Sequence, residues 1–449
     1  MGRSEIVETL RQRLAGHAEL TWLDTREDCE RYSRDFFDYS PVLTEQLSGR
    51  HADVVVRPHD LEGVARVVRA CAELDLPLTL RGSGSGNYGQ CVPLEGGVVM
   101  VTTDLCSIQA FDPATGVVTV EPGCLMRDLD QFLRRHGREL RLLPSTWRSA
   151  TIGGFIAGGS GGIGSIRWGF LRDPGHLLGI EVMAMTAESK RRWFHQADAE
   201  PFNHAYGTNG VITALRLATA PAVHWHQLSI DCASLDQATD LLRRAAQSAI
   251  SLKLATLLEA SVLAMLPPWS GPSSDGHRLL FLVSPDGVSS LKRLADDAGA
   301  CCHDLGPEDL AKGNGLRELS WNHTTLHARA KDARWTYLQM LLPQPEVPAM
   351  QQLQNRWGVN LLWHLEVVRQ QGACRIAALP LVRWQGRDQL EQLMQDCRAL
   401  GGVLFNPHVL TVEDGGLGVV DADQVEAKRR FDPAGLLNPG KLRGWLEQD

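Results

Sequence analysis

No stretch of this sequence stays apolar for long enough to cross a membrane, and no segment has the apolar core of a secretory signal. Met1 to Leu20 is charged and amphipathic instead. A cytoplasmic protein without a transmembrane segment is expected. An excess of positive charge is missing too, since 45 Lys and Arg stand against 53 Asp and Glu. Nucleic acid asks for a basic face, so it is excluded as a partner. The ten cysteines show no CxxC spacing and no dense framework, and nothing near Cys301-Cys302 completes a metal site. They read as reduced thiols, and no metal is expected. Internal repeats and low-complexity segments are also lacking. What remains is a globular chain of 449 residues, enough for two or three domains.

What the chain has is glycine in two telling places. Leu78 to Arg81 is a short apolar strand that runs into Gly82-Ser83-Gly84-Ser85-Gly86-Asn87-Tyr88-Gly89. A loop so poor in side chains can close its backbone N–H groups around an anion, usually a phosphate. Gly84 to Gly89 fits GxGxxG, but a dinucleotide fingerprint also needs a helix opening at its last glycine. Pro93 and the pair Gly96-Gly97 forbid that helix. No GxxxxGK[ST] occurs either, which excludes a P-loop. The second cluster runs from Pro144 through Gly153-Gly154 and Gly158-Gly159 to Gly164. Two such loops point to a long ligand touched along its length by backbone; tight turns would use the same residues.

The remaining pattern is mixed. Residues 4–48 carry helical spacing (Ile6, Leu10, Leu14; then Tyr32, Phe36, Phe37, Tyr39). Asp53–Pro58 reads as a strand, Leu61 to Cys71 as a helix stopped by Pro77, and Leu78–Arg81 as the next strand, a βαβ opening. Short strands follow at Val98–Val101, Ile108–Phe111 and Val117–Val120, then a helix at Leu125–His136 and strands at Ile180–Met185 and Val211–Leu217. From about residue 222, strand-like runs (Leu279–Val283, Val359–Trp363, Ile376–Leu379, Val403–Phe405) alternate with helices (Leu235–Ser248, Val288–Ala298, Arg387–Ala399).

Taken together, Val54–Pro58, Arg81–Gln90, Thr119–Gly123, Thr151–Gly154, Tyr206–Thr213 and Phe431–Leu442 resemble the FAD-binding domain of the vanillyl-alcohol oxidase/p-cresol methylhydroxylase (PCMH) superfamily, nearest to its glycolate/D-lactate dehydrogenase-like branch. The resemblance implies an α+β fold: a two-subdomain PCMH-type FAD-binding domain plus an α+β cap, or substrate, domain with an antiparallel sheet. The expected divisions are an N-terminal helical arm (1–50), the FAD domain (51–221), the cap (222–410) and a C-terminal segment returning to the FAD domain (411–449). FAD would be held by Arg81, Gly82, Ser83, Gly84, Ser85, Gly86 and Asn87, and by Ser145, Thr151, Gly153, Gly154, Gly158, Gly161 and Ile212. Lys441 would sit near the N1–C2=O end of the ring, or be a solvated tail lysine. Many members carry a flavin-linking histidine where Ser85 stands, and doubly attached ones a cysteine in the second loop. Neither is present, so the FAD is expected to be non-covalent.

On the substrate side, an extended segment from Trp321 to Trp335 would put His323, Thr325, His327 and Arg329 on one face. His323, His327 and Arg329 are the candidate catalytic residues, since histidine suits proton abstraction near neutral pH and arginine clamps anions. Trp321, Arg334, His364, Arg375 and His408 are the candidate substrate-binding residues. The metal-binding HxGxGNxH-type segment of D-2-hydroxyacid members has no match here; Asn406-Pro407-His408 is a faint echo. The expected activity is hydride transfer from a small alcohol or 2-hydroxyacid-like substrate to flavin N5, with the electron acceptor undefined. An NAD(P)H-dependent reductase, as in the enolpyruvyl-glucosamine reductase branch, and a flavin-binding protein without turnover are the alternatives.

Overall fold

Valine runs build the first layer. In this computed structural model, which describes residues 3–447, Val54–Pro58, Val98–Val101 and Leu78–Arg81 pair in parallel, with Leu20–Leu23 added antiparallel at one edge. Val54, Val55, Val56, Val98 and Val99 are fully buried. Strands covered on both faces need no polar alternation, which is why they read as unbroken valine. The helix Leu61–Glu73 starts at Asp60, whose side chain accepts the Gly63 amide at 2.8 Å. It lays Val64, Val67, Val68 and Cys71 on this sheet. Each such side chain contributes about 1.5–3 kcal/mol on burial. At the other edge the tail returns: the Leu78 amide donates to Leu436 O (2.8 Å) and the Asn438 amide to Leu78 O (2.9 Å).

A second, five-stranded antiparallel sheet runs in the order Ile108–Asp112, Val117–Val120, Val211–Ala218, Leu177–Met183 and Arg191–His195. The strand–helix alternation after residue 222 forms an eight-stranded antiparallel sheet that includes His226–Cys232, Leu252–Leu258, His277–Val283 and His364–Gln370. The helices Leu235–Gln247, Val288–Asp297 and Arg387–Ala399 bury Leu241, Leu291 and Leu393 against it. One strand starts later than the sequence suggests. Gly358–Asn360 is a single helical turn, and pairing begins at Leu361. Among the described residues no helix is long and apolar enough to cross a membrane.

The large sheet is tied to the chain that precedes it by a buried charge cluster. Lys253, on the strand Leu252–Leu258, places Nζ 2.7 Å from Glu139 Oε1. Glu139 also accepts from Arg134 (2.7 Å) and from Trp225 Nε1 (3.1 Å). Removing one member of a buried pair strands the other's charge. Lys253→Met is therefore expected to lower the unfolding free energy by about 3 kcal/mol, read as a lower denaturant midpoint; an unchanged midpoint would show that this cluster is not what joins the layers.

Candidate functional site

Both glycine clusters open onto one cavity of about 450 Å³, within the range of small-molecule and cofactor sites. Arg81, Gly82, Ser83, Gly84, Ser85, Gly86 and Asn87 line it, as do Ser145, Thr151, Gly153, Gly154, Gly158, Gly161 and Ile212. The loops touch each other. Gln90 Nε2 donates to Gly158 O at 2.8 Å. A Cβ on Gly82 would collide with Thr151 Oγ1, so glycine is required there by the neighbouring loop. Gly84 has φ +72°, and its Cβ would strike the Arg81 guanidinium.

The first loop is polarised. Lys441, wholly buried, donates from Nζ to the carbonyls of Gly89, Gln90 and Val92. Asn438 Nδ2 adds a bond to Gln90 O at 2.8 Å. Asp35 accepts from the amides of Phe37 and Gln90, each at 3.0 Å. Burial raises the Asp35 carboxyl above its ordinary value, with Lys441 and Arg81 opposing the rise, and burial lowers the Lys441 ammonium, with Asp35 opposing that. Among the described residues the amides of Ser83, Gly84, Ser85, Gly86 and Asn87 find no acceptor. A run of unpaired donors on a cavity wall is what a diphosphate needs in place of water. The residues present fit FAD. The lysine expected near the ring instead lies off the cavity wall and pins the loop's carbonyls.

The segment read as extended is helical. Asn322–Lys331 forms an α-helix, because Thr324, Thr325 and Ala328 are small enough to bury at close approach, and Thr324 Oγ1 donates to Leu319 O at 2.7 Å. A helix parts residues two apart and joins those four apart. His323 and His327 therefore share a face that Thr325 and Arg329 do not. Trp321 precedes the helix with φ +51°, a left-handed conformation that costs about 1–3 kcal/mol. It is held there by Glu366, whose Oε1 accepts the Trp321 amide at 2.7 Å.

Trp321 and His323 line the cavity, and the other substrate-side candidates do not. His327 Nε2 donates to Glu318 O (3.0 Å). Arg329 is spent on the carbonyls of Ala333 and Trp335. Arg334 pairs with Asp332 and is mostly exposed. Buried His364 bonds Glu366 (2.9 Å), behind Trp321. Arg375 reaches Leu342 O (3.2 Å). His408 donates from Nε2 to Tyr337 O (2.9 Å) and accepts from Ser40 Oγ (2.7 Å). Burial pushes its pKa down to about 4, so it is a neutral packing residue.

Three groups at or behind the wall escaped the sequence reading. Asp35, Phe36 and Tyr39 come from the N-terminal arm. Tyr88 accepts from Gln339 Nε2 at 2.9 Å. Most telling is Glu318, whose Oε2 lies 3.2 Å from His323 Nδ1 and whose Oε1 accepts from Arg148 Nε at 2.8 Å. Burial pushes the Glu318 carboxyl up, but the bonds from His323 and Arg148 outweigh it and hold it below the usual range. Among the described residues His323 Nε2 has no partner, so the ring presents a free nitrogen on a cavity wall.

Residues 52–191 match the FAD binding domain family. This is a PCMH-type FAD-binding domain. The chain is 23% identical over 434 residues to the D-lactate dehydrogenase of Archaeoglobus fulgidus, covering 90% of this chain and 94% of that protein. It is 22% identical over 444 residues to the glycolate oxidase subunit GlcD of Bacillus subtilis, covering 90% and 91%. In fold it is similar to alkyldihydroxyacetonephosphate synthase, with a TM-score of 0.75 at 14% identity over 98% of this chain and 85% of that one. FAD is thus the cofactor. Gly82→Ala is expected to lower retained flavin per chain at least about tenfold, with Thr151→Ala in the same chain restoring part of it; the ratio of flavin to protein absorbance after purification reads both.

Proposed function

We propose that this chain is an FAD-dependent oxidoreductase that oxidises an alcohol or 2-hydroxyacid-like substrate, with FAD bound non-covalently and His323 as the base. The relatives named for D-lactate and glycolate support the reaction class. The observation that carries the reading is His323 on the wall of the cofactor cavity, with Glu318 paired to it from behind the wall. Residues 51–221 hold the cofactor, 222–410 supply the base, and the tail from 411 braces the first loop. FAD, when bound, accepts a hydride from the substrate carbon.

The chain's own part is positional and protolytic. Glu318 accepts the Nδ1 proton of His323, which fixes the tautomer and leaves Nε2 as a lone-pair acceptor. Nε2 would take the hydroxyl proton as the substrate carbon gives up its hydride and a carbonyl forms. The imidazolium is then stabilised by Glu318. Arg148, from the second glycine loop, holds Glu318 in place and so couples the base to the loop that lines the cofactor. Glu366 fixes Trp321 and with it the start of the helix that carries His323. Pro144, Ser145 and Thr146 share the wall with Arg148, Trp321 and His323.

Anaerobic mixing with alcohols and hydroxy acids is expected to bleach the flavin, and NADPH alone to leave it yellow; bleaching by NADPH alone would support a reductase instead. His323→Asn should slow bleaching by about 10²–10⁴-fold at unchanged flavin content. Glu318→Gln should slow it less, at unchanged flavin content. A His323→Asn rate equal to the parent's would remove His323 as the base.

A further inference from the structure

We propose that Tyr88 is a second catalytic residue, whose hydroxyl donates to the reacting oxygen of the substrate while His323 takes that oxygen's proton. The inference rests on the reading of His323 as base. It follows from where the protons around one phenol can go.

Tyr88 belongs to the first glycine loop and lines the cavity. Its oxygen is met there by groups from the cap. Gln339 Nε2 donates to it at 2.9 Å. The Tyr337 hydroxyl and the Asn322 side chain bond the same oxygen. Asn322 opens the helix Asn322–Lys331 and lines the cavity next to His323. The phenol oxygen therefore lies beside the helical turn that carries the base.

The hydrogen bonds around this oxygen have a direction. Tyr337 is buried, off the cavity wall, and its oxygen already accepts from Asn87 Nδ2 at 2.7 Å. A buried hydroxyl proton needs an acceptor inside the protein, and among the described residues the Tyr88 oxygen is the one in reach. Asn322 Oδ1 has no partner, as expected of an amide whose nitrogen is turned toward Tyr88. Tyr337, Gln339 and Asn322 thus all donate to Tyr88. The Tyr88 proton finds no acceptor among the described residues and is left for a ligand in the cavity. Burial pushes both phenols above their ordinary value, so near neutral pH Tyr88 keeps its proton and is a donor, not a base.

Such a donor meets a need that His323 leaves open. As Nε2 draws the proton from the substrate hydroxyl, negative charge gathers on the substrate oxygen before the carbonyl forms. A donor already aimed at that oxygen stabilises the charge without reorganising. Tyr88 neither gains nor loses a proton. Its aim is set by Gln339, Tyr337 and Asn322 of the cap, although its backbone belongs to the cofactor loop. The donor is therefore in place only where loop and cap meet.

The test uses FAD-loaded full-length protein and its Tyr88→Phe variant, with glycolate, D-lactate and 1-butanol as probes in anaerobic stopped-flow. Tyr88→Phe is expected to slow flavin reduction at saturating probe by about 10²-fold, with flavin per chain unchanged and the apparent dissociation constant of the probe moved far less than the rate. An unchanged rate would overturn the proposal while leaving His323 and the oxidoreductase reading intact. Loss of flavin at an unchanged rate per flavin would overturn it too, by placing the hydroxyl on the cofactor. Should Tyr88→Phe fail to fold, Tyr337→Phe, which leaves the cavity wall intact, decides: reduction slowed at least about threefold supports the proposal, and an unchanged rate overturns it. If no probe reduces the flavin of the parent, the oxidoreductase reading fails separately, and titration with 2,2,2-trifluoroethanol, followed by the flavin spectrum, decides whether Tyr88 serves a ligand oxygen. Binding weakened at least about threefold in Tyr88→Phe supports it; equal binding, or none to either protein, overturns it.

Discussion

The contact between two glycine loops is the constraint on which this structure turns. Gly82 lies so close to Thr151 that no side chain fits between them, and Gln90 reaches across to the carbonyl of Gly158. Because the loops come from different layers, neither can shift without the other. The parallel sheet delivers the first loop at the end of Leu78–Arg81, and the second is anchored by Thr151, which caps the helix Ile152–Gly158. A flexible glycine-rich loop would lose much conformational entropy on binding a ligand. Here the mutual contact has already restricted it, so the cofactor meets a formed cradle.

Polarity of the first loop follows from buried charge beneath it. At its Gly89–Val92 end Lys441 and Asn438 take the carbonyls and Asp35 the Gln90 amide, and the amides of Ser83 to Asn87 before it remain unpaired. Lys441 and Asp35 shift toward their neutral forms because both are buried, each opposing the other's shift. The tail therefore does more than close a sheet edge. It decides which side of the loop carries donors. The same loop system reaches the chemistry through Arg148, whose grip on Glu318 links the cofactor wall to the base.

The cofactor half of the site was legible in the sequence because backbone does the work there. Glycine at set intervals after an apolar strand states its purpose locally, and every loop residue from Arg81 to Asn87 lies on the cavity. The substrate half was not legible. The alternation of His323, Thr325, His327 and Arg329 suggested a strand, but two buried threonines and Ala328 let the segment pack as a helix. Glu318 carried no signal of its own. It meets His323 across a sharp turn at Trp321, whose amide is held by Glu366, far along the sequence. His408 and Lys441 are polar residues whose partners, Ser40 and the Gly89–Val92 carbonyls, lie hundreds of positions away. Charge that pairs over such distances reveals its role only once the fold is known.

The central proposal is that unpaired backbone donors on the first loop, held in place by the second and with no covalent bond, keep one FAD in this chain. Denaturing the purified protein in acid and separating precipitate from supernatant tests it most directly. The account predicts a colourless precipitate and one intact FAD per chain in solution. Yellow colour that stays with the polypeptide, or protein that neither releases nor takes up FAD, would contradict it.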